Sequence, residues 1–436
     1  MYYERTPANL EDQTALLPRP RLKSYSAAGT GPIRGLFRKG GAILNRLLVL
    51  SAGDLYLVDG ATATLIGAIS GPGRMSAEGS PSAVMLTCGN TCYSTDGVTL
   101  STVTIPDGQN VLAVDILNSY FILVVENYGR FYWSGIGSTT VNALDYATAE
   151  SQPDTLITCK VVGDVLWLVG RLSLEPWRPT GDLDLPFQRI EGRVFGIGCV
   201  SRDTVQKLSV GGQDPMIWAG ADGVVYRLAP NPTRISDHGM EQRLNQADAT
   251  TLTATTARWL GHDFYILHIP GQGSFAYDLS TGFWDEWTSY GKPLFRGAVS
   301  TVGPDDQLLL GDDETGVIWE LSDDGRLDGA DEVVFEFSGL NENMGAPARC
   351  NNVSLDCSTG LTPDPERDPV MLYEYSPDRG ETWIAAPSAP LGRQGERLTE
   401  VIWKRLGLIK RKGRVHRWRT TEPVTVRKAR MNESYR

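Results

Sequence analysis

The stretch from Ser376 to Trp383 holds the most suggestive arrangement of chemical groups in the chain. Its sequence, SPDRGETW, follows the spacing SxDxGxTW. In a hairpin with this spacing, the Asp side chain accepts hydrogen bonds from backbone N–H groups and the glycine takes a positive φ. The tryptophan packs beneath the turn. We therefore predict that Ser376, Asp378, Gly380, Thr382 and Trp383 form a structural turn rather than a catalytic site.

An enzymatic function has to be considered, because the SxDxGxTW pattern also occurs in sialidases. Sialidase chemistry would require an arginine cluster and a Tyr–Glu pair as well, and the sequence shows no such set. The histidines His238, His262, His268 and His416 are scattered and lack the spacing of HExxH or HxH. His268 lies in an apolar strand and is expected to be a core residue. We predict that the chain is not an enzyme, with a sialidase-like or other carbohydrate-active β-propeller as the alternative.

Cofactor and metal motifs are absent from the sequence. The stretch Gly196–Cys199 lacks the third glycine and the following helix of a dinucleotide site. Acidic pairs such as Asp305-Asp306 and Asp312-Asp313 lie in predicted turns, and none begins the DxDxDG loop of a calcium site. Six cysteines in 436 residues are too few for a disulfide framework, and none belongs to a CxxC motif. We predict no cofactor, no metal site and structural thiols.

The sharpest electrostatic feature is the basic stretch KRLGLIKRKGRVHRWR at residues 404–419. Residues 401–436 contain 12 Lys/Arg and 2 Asp/Glu, whereas the whole chain has a net charge of −11. Such a stretch can bind nucleic acid, or its basic face can meet an acidic face on this chain or on a neighbouring protein. Arg417 and Arg419 alternate with Trp418, which predicts one charged and one packed face. We favour a protein interface, and its candidate residues are Lys404, Arg405, Lys410, Arg411, Lys412, Arg414, Arg417 and Arg419.

Around these groups, the pattern is that of short strands joined by tight turns. The chain has 47 Gly and 25 Pro, and this abundance indicates many tight turns. Seven strand–turn–strand units recur about every 35 to 50 residues, which is the repeat length of β-propeller blades. They are Leu47–Gly60, Val84–Gly97, Phe121–Trp133, Val165–Trp177, Met216–Ala229, Phe264–Leu279 and Leu308–Leu321. We predict an all-β β-propeller of seven blades, or six if one unit is shared in closing the ring, because stacked blades cover both faces of each sheet.

The propeller is predicted to span residues 33–321 and to be flanked by other segments. Residues 1–32 are Pro-rich and non-periodic, as expected of an extended N-terminal docking arm. Residues 322–331, SDDGRLDGAD, predict an acidic linker. Residues 332–436 predict a separate β-sandwich-like module with the basic tail, although some of its strands could instead complete the propeller. Helical character is limited to a turn or two at Ala143–Glu150.

Membrane insertion is not expected from this sequence. The N-terminus lacks the charged and then apolar run of a signal peptide. No stretch approaches the roughly 18 apolar residues of a membrane-spanning helix. We therefore expect no membrane span.

A colinear series of short motifs extends from about residue 18 to about residue 430. Its members are Gly31–Leu36, Glu150–Asp154, Glu175 with Trp177, Thr180-Gly181, Pro186–Arg189, Trp218–Arg227, Arg234–His238, Phe264-Tyr265, Tyr277-Asp278, Thr281–Trp284, Gly311-Asp312, Ala348–Cys350 and Trp403–Gly407. In this order they resemble the packaged-DNA stabilisation proteins of short-tailed bacteriophages. These are the head-to-tail closure, tail-hub or nozzle proteins.

The resemblance implies a structural virion protein of the phage tail, made in the host cytoplasm and placed at the head–tail interface. It implies a homohexameric ring below the portal-adaptor complex that extends the DNA channel, helps to retain packaged DNA until ejection, and anchors fibres or spikes. The implied partners are other copies of the chain, the portal-adaptor protein, tail fibre or spike proteins and a needle or plug protein. A generic propeller interaction scaffold is a further alternative.

The charge of the channel is constrained by its use. About 6–10 contacts to phosphates give tight and steeply salt-dependent DNA binding. A conduit has to release double-stranded DNA, which would pass through the lumen without sequence-specific binding. We therefore predict a mostly acidic or neutral lumen, with the basic residues 404–419 facing protein.

Overall fold

The structure is a computed structural model that describes residues 2–5, 14–149, 154–208, 215–323, 326–341, 347–410 and 413–435. These residues form strands and turns almost throughout, with a single α-helix, α1 (His238–Gln246). The described part of the chain divides into two compact units. One consists of Ser24–Thr288 and Lys292–Leu321, and the other of Met1–Lys23, Ser289–Gly291 and Ser322–Arg436.

The larger unit is a β-propeller. Within the described residues it contains seven sheets of four strands each, and six of them use strands that follow one another in the chain. The N-terminal strands of the whole chain are β1 (Tyr2–Arg5), β2 (Thr14–Leu17) and β3 (Arg21–Ala27). The first three sheets are β4 (Ile33–Phe37), β5 (Leu47–Ser51), β6 (Asp54–Asp59) and β7 (Thr62–Ala68); β8 (Ser76–Gly79), β9 (Val84–Cys88), β10 (Thr91–Thr95) and β11 (Leu100–Thr102); and β12 (Val111–Leu117), β13 (Tyr120–Val125), β14 (Arg130–Ser134) and β15 (Val141–Thr148).

The remaining four sheets continue this order. They are β16 (Leu156–Val162), β17 (Val165–Gly170), β18 (Leu174–Pro179) and β19 (Phe187–Arg189); β20 (Gln206–Lys207), β21 (Met216–Ala219), β22 (Val225–Leu228) and β23 (Pro232–Arg234); β24 (Thr253–Trp259), β25 (His262–Ile269), β26 (Gly273–Asp278) and β27 (Trp284–Glu286); and β28 (Gly297–Val302), β29 (Leu308–Asp312) and β30 (Val317–Ser322) with β3. Short 3-10 turns lie at Ile43–Asn45, Pro106–Gly108, Arg202–Thr204 and Ala249–Thr251.

The last sheet closes the propeller with strands from both ends of the unit. Strand β3 lies next to β30, so the order in this sheet is β28-β29-β30-β3. Closure of this kind removes the free edge that an incomplete ring of strands would expose. Residues 21–27 therefore belong to a propeller sheet, whereas the sequence had placed them in a docking arm ending at residue 32.

Packing between neighbouring blades explains the apolar second strands. All six residues of β13 and all eight of β25 are buried, because each sheet is covered on both faces. Aromatic rings fill these contacts. The Phe131 ring lies 5.1 Å from that of Trp177, and the Trp133 ring lies 5.8 Å from that of Phe187. Trp177 and Phe187 thus pack between two neighbouring blades.

The helical expectation at Ala143–Glu150 is contradicted by the structure. Residues 141–148 form β15, which pairs antiparallel with β14 and places Tyr146 opposite Tyr132. The Arg130 guanidinium lies 4.5 Å above the Tyr146 ring. Cross-strand contacts of this kind override a weak local helical preference. Glu150 lies outside the described residues.

The smaller unit is a β-sandwich. It contains a short hairpin of β31 (Leu327–Asp328) and β32 (Asp331–Glu332), followed by β33 (Phe335–Asn341), β34 (Ala348–Cys357), β35 (Val370–Ser376), β36 (Ile384–Ala385), β37 (Ala389–Pro390), β38 (Val401–Lys404), β39 (Leu408–Ile409), β40 (Arg414–Thr420) and β41 (Val426–Tyr435). One sheet has the order β1-β2-β41-β34-β38, with β39 also on β34, and the other has the order β33-β40-β35-β36, with β37 also on β35. Phe337, Tyr373, Trp403 and Trp418 form the centre of its core.

The segment expected to be an acidic linker is folded in its described part. Asp328 is only 1% exposed, and it pairs with the buried Arg19 guanidinium. The backbone N–H of Leu22 also donates to Asp328 Oδ1 at 2.9 Å. The segment is therefore a packed element of the sandwich unit, because its carboxylate neutralises an arginine that the N-terminal residues bring into the interior.

Candidate functional site

The two central arginines of the basic stretch lie on the outer face of the sandwich. Arg417 and Arg419 alternate with the buried Trp418 along β40. The neighbouring strands place a glutamate beside each of them. Arg417 Nη2 donates to Glu374 at 2.5 Å and Arg419 Nη2 donates to Glu336 at 2.6 Å. These two positive charges are thus neutralised within their own sheet.

Arg414 is buried in the sandwich unit and is held there by neighbouring groups. It is only 3% exposed, and its Nη2 donates to the carbonyl oxygens of Leu406 and Leu408 at 2.9 and 3.2 Å. Its guanidinium lies 4.0 Å above the Tyr375 ring. A buried cation with these contacts is not available to a partner.

Three of the other candidate residues of the basic stretch are more accessible. Lys404, Arg405 and Lys410 are exposed. Arg411 and Lys412 lie outside the described residues. Of the eight candidates, the structure therefore shows three exposed cations and three that are held by groups of the same unit.

The residues of the SxDxGxTW pattern are brought together in one turn. Asp378 Oδ1 accepts hydrogen bonds from the Thr382 backbone N–H at 2.8 Å and from the Ser376 hydroxyl at 2.7 Å. The Gly380 N–H donates to Ser376 Oγ at 2.7 Å, and Gly380 has a φ of 103°. The hydrogen bonds from Thr382 and Ser376 lower the pKa of the Asp378 carboxyl to about 2.

Trp383 connects this turn to the basic strand. Its ring lies 3.9 Å from the Arg417 guanidinium. The turn therefore supports the Arg417–Glu374 pair on the outer face. Each polar group of the motif is used in the turn or in this contact, and the arrangement has the geometry of a structural element.

The centre of the propeller is a small polar cavity of about 170 Å³. Two arginines cross it. Arg74 donates to the Ala254 carbonyl at 2.7 Å and to Thr253 Oγ1 at 2.9 Å, and Arg202 donates to the carbonyls of Leu112 and Arg74. These bonds join sheets whose residues are far apart in the chain, so the two arginines hold the sheets together at the axis of the propeller. Burial lowers the pKa of Arg74.

The lining of this cavity does not suit glycoside hydrolysis. Asp203 is the one carboxylate among the described residues that line it, beside Lys160 and the two arginines. Hydrolysis of a glycoside by the usual route requires a pair of carboxylates. Sequence reasoning missed Arg74 and Arg202, because isolated arginines in loops carry no pattern that reveals an axial position.

Two histidine pairs of the propeller resemble catalytic pairs only in composition. His268 Nδ1 lies 2.9 Å from Ser274 Oγ, and both residues are almost fully buried. Burial lowers the pKa of His268 to about 3, and the expectation that it is a core residue is confirmed. His262 Nδ1 lies 2.8 Å from Asp278, whose carboxylate also accepts the Thr281 hydroxyl at 2.8 Å. This second pair closes a turn.

Neither a metal centre nor a membrane span can be assigned. In the part of the chain that the structure describes, no group of three or more His, Cys, Asp or Glu side chains is placed to hold a metal ion. No helix in that part is long and apolar enough to cross a membrane.

Two family models cover both units of the chain, and both are described as bacteriophage P22 Gp10. The β-propeller model matches residues 22–325, and the β-sandwich model matches residues 336–433. The chain belongs to the P22 Gp10 family. It is therefore a phage virion protein of a group that stabilises packaged DNA, and the all-β fold of a propeller and a sandwich is confirmed. Membership of the Gp10 family also favours a non-enzymatic role.

Two solved β-propeller domains are similar to the chain. The WD40 β-propeller domain of Doa1 is 11% identical, with a TM-score of 0.46, and the match covers 71% of this chain and 98% of that domain. The β-propeller domain of Cps50 (Swd1) from Myceliophteria thermophila is 12% identical, with a TM-score of 0.47, over 69% of this chain and 100% of that domain. No curated protein sequence matches the chain.

Proposed function

We propose that the chain is a subunit of a ring in the phage tail, below the portal-adaptor complex, that continues the DNA channel and helps to retain the packaged genome. Membership of the Gp10 family supports a role on packaged DNA. The argument for a ring of several subunits rests on the narrow centre of the propeller, where two arginines bridge the sheets. A cavity of about 170 Å³ crossed by Arg74 and Arg202 cannot admit a double helix, whose major groove alone is about 12 Å wide. The channel has to be enclosed by several copies.

Such a ring is built from one contact repeated by rotation. Each subunit presents one surface to the next and a different surface to the previous one, and the rotation closes the ring. We propose six copies. The exposed cations Lys404, Arg405 and Lys410 are candidates for one side of this contact, because the rest of the chain is strongly acidic. They then face protein, and the lumen is acidic or neutral.

Partners of the ring follow from the same proposal. The portal-adaptor protein would contact one end of the ring, and fibre or spike proteins and a needle or plug protein would attach to its other surfaces. Double-stranded DNA would pass through the lumen without sequence-specific binding. A lumen with few free cations supports passage, because each phosphate contact adds to the salt-dependent affinity.

Electron microscopy and native mass spectrometry of the purified full-length protein, alone and with portal-adaptor proteins, test the ring. We expect closed rings of six copies, at least when the adaptor is present. The double variant Lys404→Glu/Lys410→Glu should reduce assembly at least tenfold, whereas Arg171→Glu/Arg178→Glu, two exposed arginines of the propeller, should not. A monomer under all conditions, or equal assembly of the two variants, would contradict the proposed ring or its proposed contact.

A further inference from the structure

A glycine in the middle of a strand opens a groove at one side of the sandwich. Gly339 of β33 lies opposite His416 of β40, and a Cβ atom at this position would touch only the Trp418 ring, at 3.8 Å. A glycine inside a strand often marks a place where another backbone or a ligand approaches closely. The groove has a volume of about 170 Å³ and runs between β33 and β41, with Val353 and Met431 among its walls.

Two buried side chains on the walls of this groove have an unsatisfied nitrogen. Nε2 of His416 and Nε1 of Trp418 have no hydrogen-bond partner in the described part of the chain, and each residue is only 4% exposed. His416 uses its other nitrogen, Nδ1, in a 2.7 Å contact with the Tyr373 hydroxyl. Buried polar groups are normally hydrogen-bonded. These two nitrogens therefore remain available for hydrogen bonds with a bound ligand.

The strand on the other wall, β41, is only partly paired on one side within the described part of the chain. Strand β41 pairs with β34 along its whole length, from Val426 to Tyr435. On its other side, the one register pair within the described residues joins Val426 to Leu16 of β2. From Ala429 onward, the backbone groups on this side have no strand partner among the described residues. An exposed edge of this length is a template for an added strand.

The charge beside this edge determines which kind of strand can bind there. Arg427, Lys428 and Arg430 are exposed along β41. Asp356 is the nearby acid, and it holds the two arginines only loosely, at 3.5 and 3.9 Å. Glu433 of β41 is a second acid, and it keeps its charge although Asn341 Nδ2 donates to it at 2.6 Å, so three cations lie beside two carboxylates. The edge is therefore positive, and it favours carboxylates on the incoming chain.

We propose that an extended acidic segment of a partner protein adds as a strand to the edge of β41 and places an apolar side chain in the groove beside Gly339. The backbone of the segment bonds to the open edge. Its carboxylates pair with the basic side chains of β41, and an acceptor on the segment reaches the Trp418 N–H. The site lies wholly within the sandwich unit and does not depend on ring formation.

Binding of defined peptides to the full-length protein tests the proposal. The probe is a fluorescein-labelled eight-residue peptide in which Asp alternates with Val or Leu, followed by fluorescence anisotropy. We expect saturable binding that weakens with salt. Two control peptides should bind at least tenfold more weakly: one with Lys in place of Asp, and one with Pro at two central positions, which removes backbone N–H donors.

Two variants locate the site. Gly339→Val places a side chain in the groove at a position where a Cβ makes only an ordinary contact, at 3.8 Å from Trp418; it should weaken peptide binding at least tenfold, with an unchanged melting temperature showing that the fold is intact. Gly196→Val is the matched control, because Gly196 has an ordinary φ and nothing within 4 Å of its added Cβ. Absence of saturable binding to the wild type, or equal binding by Gly339→Val, would overturn the proposal. Self-association that Gly339→Val abolishes, without peptide binding, would assign the edge to a second copy instead.

Discussion

At the scale of single residues, several charges of this protein are paired within the fold. The ion pair of Arg19 and Asp328 is almost fully buried, and the arginines of β40 are matched by Glu336 and Glu374. Sequence patterns predicted which face of β40 is charged, since alternation along a strand is a local property. They could not predict the acidic partners, because these come from strands about 43 and 83 residues away in the chain.

The buried pair of Arg19 and Asp328 gives the first prediction. Asp328→Ala removes the carboxylate that pairs with the buried Arg19 guanidinium, and we expect a loss of about 3–5 kcal/mol in the free energy of unfolding. Urea unfolding of the full-length protein measures this loss. Asp356→Ala is the control: Asp356 is partly exposed, its ion pairs are 3.5 and 3.9 Å long, and we expect at most about 1 kcal/mol. Equal effects of the two substitutions would contradict the assignment.

The buried histidine His268 predicts a dependence of stability on pH. Its pKa is about 3 in the folded protein, against about 6.5 in an unfolded chain. Between these values the unfolded chain binds a proton and the folded chain does not, so stability falls as the pH falls from about 6.5. The slope from this residue is at most about 1.4 kcal/mol per pH unit.

Urea unfolding of the wild type and of His268→Gln at pH 7, 6 and 5 isolates this contribution. The glutamine can still bond to Ser274, and it does not titrate. We expect the stability of the variant to fall less steeply with acid than that of the wild type. Parallel curves for the two proteins would show that His268 does not contribute.

At the scale of elements, the strand–turn–strand units were predictable because tight turns and apolar strands leave a local signature. The pattern failed in two places where tertiary contacts decide, and it also missed a helix that has a local signal. Residues 141–148 form a strand because they pair with β14, and the linker is packed through Asp328. Helix α1 was missed, although Asp237 before it is a good N-cap whose carboxylate accepts the Met240 N–H at 2.8 Å.

The turn at Ser376–Trp383 gives an element-scale prediction. Gly380 has a φ of 103°, a backbone conformation that residues other than glycine rarely adopt. Gly380→Ala should lower the free energy of unfolding of the sandwich by about 1 kcal/mol or more and should disturb Trp383 fluorescence. Gly339→Ala is the control in the same unit, because its Cβ meets only an ordinary contact at 3.8 Å. If the two alanine variants were equally stable, the turn would not require its glycine.

At the scale of the whole molecule, the fold class was predictable and the ends of the propeller were not. Regular turns and apolar strands indicate a propeller without any knowledge of which strands pair. Strand β3 closes the propeller by pairing with residues nearly 300 positions away in the chain. Nothing local in a Pro-rich N-terminal segment indicates this pairing. The groove at Gly339 likewise had only one sequence signal, a glycine within a strand pattern.

Truncation tests the closure. Removal of residues 1–27 deletes β3 and leaves the edge of β30 open, so we expect faster proteolysis of the propeller and a lower melting temperature. Removal of residues 1–13 keeps β2 and β3 and is the control. Limited proteolysis with mass spectrometry locates the new cleavage sites. Equal protease resistance of the two truncated proteins would show that β3 is not needed to close the propeller.

Closure by the two ends of the unit also sets an order in time. Strand β3 is synthesised first, and β30, beside which it lies, is completed at Ser322. At about 5–20 residues per second, translation of the intervening chain takes about 15 to 60 s. During that interval β3 lacks β30, the strand beside which it lies in the folded sheet. A chain that terminates before Ser322 therefore lacks a strand of the closing sheet and cannot complete its propeller.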